Sequence, residues 1–212
     1  MRHRALSSVL SSVLPLVLPI LLALPCGASH GADLATSIAA GKTKAQACVA
    51  CHGEAGLSAS AAFPSLAGQP SLFIVYQLIQ YRGNQRKAPL MNAAAANLSD
   101  TDMRELGAYY FSLPGPAAVT GLDTAKVALG QRISNGAHCQ SCHTPDLRGQ
   151  KQVPRLAGQH ADYLKAQLKG LRDGTRTDID GSMASAAQGL SDADIDALSL
   201  FAASMTVAPD KP

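Results

Sequence analysis

Cys48-Val49-Ala50-Cys51-His52 returns 91 positions later as Cys139-Gln140-Ser141-Cys142-His143. Two further markers keep step with it. Pro64-Ser65-Leu66-Ala67-Gly68-Gln69 returns 90 positions on as Pro154-Arg155-Leu156-Ala157-Gly158-Gln159, and Leu98-Ser99-Asp100 returns 92 on as Leu190-Ser191-Asp192. Three markers in one order at near-constant offsets make the chain a tandem duplication of a unit near 90 residues, which fixes the architecture before any local reading. Pro114-Gly115-Pro116 and the small residues after it interrupt the helical pattern as a linker would. The expected units are residues 33–113 and 121–209, with a linker at 114–120.

Each unit reads as all-α. A first helix runs from about Asp33, or Asp123, toward the Cys-x-x-Cys-His stretch. A second follows the Ala-Gly-Gln turn, with Phe73, Ile74, Leu78 and Tyr81 at helical spacing. The third opens on Ser99 as N-cap, with Leu98 and Met103 placed as a hydrophobic staple. Leu190, Ser191 and Ile195 repeat that arrangement. No stretch alternates as a strand does.

Two thiols three apart on a helical turn, with His next, suit covalent haem attachment. The thiols add to the two vinyl groups and the imidazole reaches the iron from the proximal face. Other uses of paired cysteines fit less well. A zinc site would space its Cys pairs about 15–20 residues apart, with His set off from the second pair. A thioredoxin-like pair needs a βαβ setting, and a disulfide leaves the adjacent His unexplained. The expected anchors are therefore Cys48, Cys51, Cys139 and Cys142, with His52 and His143 as proximal ligands of two haem c groups.

A sixth ligand should come from downstream in each unit. Met91 lies 43 residues after Cys48 and Met183 lies 44 after Cys139, each seven before the Leu-Ser-Asp cap. Met103 aligns with Ile195, and Met205 with Leu113, so both belong to apolar helix positions. The repeat thus selects Met91 and Met183. His138 and His160 lack counterparts in the first unit and read as surface residues, His138 beside a haem edge. An axial His is commonly oriented through its other ring nitrogen. Pro64 and Pro154, 12 and 11 residues after the two histidines, are placed to accept those bonds through their carbonyls.

Composition agrees. The 212 residues are 47% hydrophobic but contain only five Tyr, four Phe and no Trp. A porphyrin hiding ~400 Å² of apolar surface contributes on the order of 10 kcal/mol, gross, and substitutes for missing rings. Residues 33–113 carry six basic and five acidic side chains, and residues 121–212 carry ten of each. Neither half has a net field for steering a strongly charged partner. No basic run suggests nucleic acid. Lys42, Lys44, Arg86 and Lys87 are candidates for a local patch near a haem edge.

The N-terminus reads as an address. Arg2 and Arg4 precede an apolar stretch interrupted by Pro15 and Pro19, then Pro25, Cys26, Gly27 and Ala28, the order of a secretory signal. Residues 1–28 form the expected signal peptide, with cleavage near 28–32. An uncleaved anchor is the alternative, since 20 residues just span a bilayer. A lipoprotein reading through Cys26 is weakened by Pro25.

Two Cys-x-x-Cys-His units, each followed by Pro-x-Leu-Ala-Gly-Gln, a ligand Met and Leu-Ser-Asp, resemble the dihaem class I cytochromes c of the cytochrome c4 family over residues 40–205. The resemblance implies two tandem class I cytochrome c folds and periplasmic electron transfer toward a terminal oxidase. Expected partners are redox proteins: a membrane oxidase, a quinol–cytochrome c oxidoreductase or a dehydrogenase, with peripheral membrane association. Similar dihaem units serve as the cytochrome subunit of flavin-containing sulfide dehydrogenases, the main alternative. A dihaem enzyme would need an open iron or a catalytic sixth ligand, whereas both units offer Met, so the expectation is a carrier. The sequence departs from symmetry at two places. Thr144 stands where the first unit has Gly53, and Asp180-Gly181-Ser182 precede Met183 where the first unit has Pro89. The two haem pockets should therefore differ in rigidity and potential.

Overall fold

A computed structural model describes residues 29–207. The segment read as an export signal, residues 1–28, lies outside them. The first repeat contributes α1 (Ser29–Lys44), a 3-10 turn (Ala45–Cys48), α2 (Val49–His52), a second 3-10 turn (Glu54–Gly56), α3 (Ser71–Arg82), α4 (Pro89–Ala95) and α5 (Asp100–Ser112). The second contributes α6 (Thr124–Gly136), α7 (Cys139–His143), α8 (Ala161–Arg172), α9 (Ser182–Ala187) and α10 (Asp192–Ser204). The described residues contain no strand, only an isolated bridge between Gln150 and Val153. The three long helices expected per repeat are present, with α1 starting four residues before Asp33. Each Cys-x-x-Cys-His stretch lies on a short helical turn, as its spacing implies, while the short α4 and α9 that carry the two methionines were not anticipated.

Local chemistry explains the helix starts. Asp123 caps α6 by accepting from the Ala125 and Lys126 amides at 2.9 and 3.1 Å. Ser99 accepts from the Asp102 amide at 3.1 Å while its own amide donates to the Asp102 carboxylate at 2.8 Å. Ser191 and Asp194 form the same reciprocal box. Asp is one methylene shorter than the Glu usual at this position, yet the box closes. Such a cap contributes about 1 kcal/mol.

Packing repeats too. Helix α1 crosses α5 at Gly41, where an added Cβ would lie 2.0 Å from the Glu105 carbonyl oxygen. Helix α6 crosses α10 at Gly130, 2.1 Å from that of Ala197. Backbones this close admit only glycine. Helices α3 and α8 pack on α5 and α10, and the short α4 and α9 pack on α3 and α8. The first core gathers Ile74, Leu106, Tyr109 and Tyr110; the second gathers Leu147, Leu164, Phe201 and Ala202. Met103 and its counterpart Ile195 are wholly buried, as their helical positions imply, whereas Met205 lies just past the end of α10 in extended backbone and packs half-buried against the second core.

The connection between repeats is held against both. Gly68 donates its amide to the Tyr110 carbonyl at 2.8 Å and has no room for a Cβ because Gly115 runs past it. Gly158 is blocked in the same way by the Pro116 carbonyl. The Arg155 guanidinium lies under Gly115 and donates to the Pro116 carbonyl at 3.2 Å. Residues 114–116 are thus clamped between the two Leu-Ala-Gly-Gln turns.

Candidate functional site

Each Cys-x-x-Cys-His stretch forms a helical turn at the end of the first long helix of its repeat. Residues three apart on a helix share a face, so each turn presents its two thiols together with the His just beyond. All four cysteines are free: Cys48 and Cys139 are half-buried, Cys51 and Cys142 exposed. Burial pushes the Cys48 thiol up, opposed by a hydrogen bond from Tyr110. Backbone directions after the two histidines match closely: Gly53 has φ 79° and ψ 161°, Thr144 φ 71° and ψ 157°. That region is nearly exclusive to glycine and holds other residues only under strain. Thr144 is held there by its hydroxyl, which donates to the His143 carbonyl or to Asp146 and accepts from the Arg148 amide.

Both histidines are buried and pinned. His52 Nδ1 is 2.8 Å from the Pro64 carbonyl oxygen, and His143 Nδ1 is 3.0 Å from that of Pro154. A carbonyl only accepts, so each Nδ1 carries the proton and each Nε2 presents a lone pair. Burial pulls both imidazoles below the ordinary histidine value, favouring the neutral form that binds metals. His143 Nε2 is buried without a hydrogen-bond partner. Buried polar atoms are normally satisfied. An imidazole fixed at one nitrogen and unsatisfied at the other, beside two free thiols on one turn, fits the axial and thioether attachment of haem c.

Met91 and Met183 are half-buried on α4 and α9. The two loops are braced differently. Asn92 accepts from the Ala88 amide at 2.8 Å and donates to the Tyr81 and Arg86 carbonyls at 2.7 and 2.9 Å. In the second repeat the residue after the methionine is Ala184, which has no such group. There Asp178 accepts from the Met183 amide at 2.7 Å, and Asp180 accepts from the Ser182 amide and hydroxyl at 3.0 and 2.6 Å.

Several residues between the repeats were not foreseen. Gln69 donates to the Arg155 carbonyl at 2.8 Å and accepts from the Arg155 amide at 3.0 Å. Gln159 treats Ser65 the same way, at 2.8 and 2.9 Å. The last residue of each Pro-x-Leu-Ala-Gly-Gln motif therefore grips the second residue of the other. His160, expected at the surface, instead has Nε2 2.9 Å from the Ser58 carbonyl across the repeats. His138 is exposed beside Cys139, as expected.

The proposed basic patch also needs correction. Lys42 and Lys87 are exposed, but Lys44 pairs with Asp102 at 2.6 Å and with Glu105. Arg86 is buried. It lies 4.8 Å from the Tyr81 ring centre and donates to Gln77, Gln167 and Tyr163. Its counterpart in the repeat, Arg176, is half-buried with a buried, unpartnered Nε, and desolvation pulls its pKa down to about 10. One buried and one half-buried arginine therefore stand at equivalent sequence positions, each a few residues before its Met helix. The signal was a pair of arginines in step with the repeat, each a few residues before its methionine.

A cytochrome c family profile matches residues 127–206. Cytochrome c4 of Pseudomonas aeruginosa is 37% identical over 182 residues, spanning 80% of this chain and 89% of that protein. A thiosulfate dehydrogenase electron acceptor of Stutzerimonas stutzeri is 36% identical over 172 residues, 76% of this chain and 80% of its own length. The crystal structure of reduced recombinant cytochrome c4 from Pseudomonas stutzeri superposes with a TM-score of 0.75 at 32% identity, covering 80% of this chain and 98% of that one. With the tandem helical fold and the paired Cys-x-x-Cys-His turns, this chain belongs to the cytochrome c4 family of electron-transfer proteins, with two covalently bound haem c groups.

Proposed function

We propose that Cys48 and Cys51 anchor the first haem and Cys139 and Cys142 the second, with His52 and His143 as proximal ligands and Met91 and Met183 as distal ones. The buried, partnerless Nε2 of His143, fixed through Nδ1 on Pro154, carries this assignment. Bound haem supplies one reversible Fe(III)/Fe(II) couple per repeat, at a potential that Met ligation raises relative to two histidines. The protein groups act by holding still. The Pro64 and Pro154 carbonyls fix each imidazole plane, the Asn92 and Asp178 braces fix the methionine loops, and Arg86 and Arg176 would supply positive charge to the porphyrin carboxylates. With a histidine and a methionine both holding the iron, the site would suit outer-sphere electron transfer and leave no position for substrate. The units of this carrier are residues 33–113 and 121–209, joined by 114–120.

The carrier works in the periplasm, exported through residues 1–28, and passes electrons toward a terminal oxidase, having received them from a quinol–cytochrome c oxidoreductase. The likeness to a thiosulfate dehydrogenase electron acceptor supports a second reading, acceptance from a periplasmic dehydrogenase. Pyridine haemochrome titration should return two haems per chain. The ferric protein should show a far-red methionine charge-transfer band that Met91→Ala and Met183→Ala each halve. A high-spin ferric spectrum from the native protein would overturn the ligand set. Stopped-flow reduction by each donor enzyme separates the two partner readings.

A further inference from the structure

The two methionine helices are entered by different backbone turns, extended at Ala88 and left-handed at Gly181, and are held by chemistry of different charge. Asn92 knits the first loop with a neutral amide that engages three backbone groups, none of them on Met91 itself. Pro89 opens α4 and so removes one amide that would need a partner. The second loop has lost both devices: Ala184 replaces the asparagine, and Gly181, in the left-handed region, replaces the proline turn. The amides at the start of α9 are taken up by two carboxylates instead. Asp180 holds Ser182, and Asp178 reaches over five residues to hold Met183. A charge-assisted bond of this kind is shorter and roughly twice as strong as a neutral one.

We infer that Asp178 is the positioning residue of the second site: it fixes Met183 through the methionine's own amide, and its charge lowers the second haem's potential. The inference rests on Met183 being the distal ligand. A negative charge bonded to the ligand's peptide group favours the ferric state over the ferrous, because the ferric centre carries one more positive charge. Arg176, two residues earlier and half-buried, feels the charge of the same carboxylate and offsets part of its field. The first site has no equivalent carboxylate in its brace, so this contribution belongs to one haem only.

The test uses the exported holoprotein and three variants. Asp178→Asn keeps an acceptor for the Met183 amide but removes the charge. Asp178→Ala removes both, and Asp180→Asn removes an equal charge two residues away that holds Ser182. In Asp178→Asn one midpoint potential should rise, by roughly threefold to tenfold in its one-electron equilibrium constant, while the other moves little and the far-red band keeps its two-haem intensity. Asp178→Ala should lose half of that band at a lower temperature than the parent, with Asp178→Asn in between. Asp180→Asn should shift the potential less than Asp178→Asn. Unchanged potentials in Asp178→Asn, equal shifts of both haems, or an Asp180→Asn shift as large would each overturn the inference. Failure of the ligand assignment looks different: Met183→Ala would leave the far-red band at full intensity.

Discussion

The turns that follow His52 and His143 trace almost the same backbone from different residues. After His52 the chain uses Gly53, for which the conformation is free of Cβ strain. An added Cβ there would lie 1.9 Å from the Leu57 carbonyl oxygen. After His143 it uses Thr144, a β-branched residue forced into glycine territory and retained by its hydroxyl, Asp146 and Arg148. The methionine loops differ in the same spirit, with a neutral asparagine in one and a carboxylate in the other. Ligand geometry is thus held more tightly than the means of producing it. After the histidines the repeats share one backbone with different side chains, whereas at the methionine helices the backbone entry differs as well.

That contrast can be broken at several levels. The largest effect should come from Cys48→Ser/Cys51→Ser or Cys139→Ser/Cys142→Ser, each cutting haem content from two to one and removing a buried porphyrin worth on the order of 10 kcal/mol, gross. Pyridine haemochrome and thermal melts read both; loss of both haems from one double variant would show that the repeats do not load separately. Next, Gly53→Ala should destabilise by about 3 kcal/mol, since strain and overlap act together. Thr144→Gly should instead be neutral or stabilising by about 1 kcal/mol, relief of strain outweighing the lost hydroxyl bonds. Equal losses from the two changes, measured by denaturant unfolding, would dissolve the distinction.

Gln69→Ala and Gln159→Ala probe what the repeats share. Each leaves a buried amide and carbonyl unpaired, at about 1–3 kcal/mol per group. Gln159→Ala should cost somewhat more in the same unfolding assay, because Gln159 also accepts from the His160 amide at 3.1 Å. A mild asymmetry is expected on acidification. Lys44 holds Asp102 well below the usual carboxylate range in the first repeat. In the second, Lys169 and Arg172 hold Asp192 down at about 2, and Lys126 and Lys165 lower Asp196. Carboxylates depressed in the folded state contribute stability above their unfolded value near 4 and lose it as pH falls toward the folded values. The second repeat should soften first below about pH 4. The step should be small and shrink with added salt, because these pairs are exposed. Far-red and Soret melts at stepped pH follow each haem.

Much of this was readable in the residues, because the strongest signals are local. Ser99 and Ser191 announce helix starts, and the doubled Cys-x-x-Cys-His and Pro-x-Leu-Ala-Gly-Gln set the repeat. The Pro64 and Pro154 carbonyls could be named from spacing. What escaped depends on distant partners. Gln69 and Gln159 look like ordinary turn residues until the other repeat is beside them. Arg86 and Lys44 read as part of a surface patch because burial and ion pairing are set by α8 and α5, not by their neighbours in sequence. Gly41 and Gly130 gave no hint of two helix crossings, since only the opposing carbonyl reveals the lack of room.

The reciprocal grip of Gln69 and Gln159 has the form of an isologous contact, in which one patch meets its own copy. A single repeat already owns both halves of that contact. Joined in tandem, the pair no longer depends on protein concentration, since a short connection supplies an effective concentration in the millimolar range. The clamped segment at 114–116 makes the pairing a fixed geometry instead of a tether. Spacing between the two redox centres is thereby a property of the chain, independent of how dilute the protein becomes.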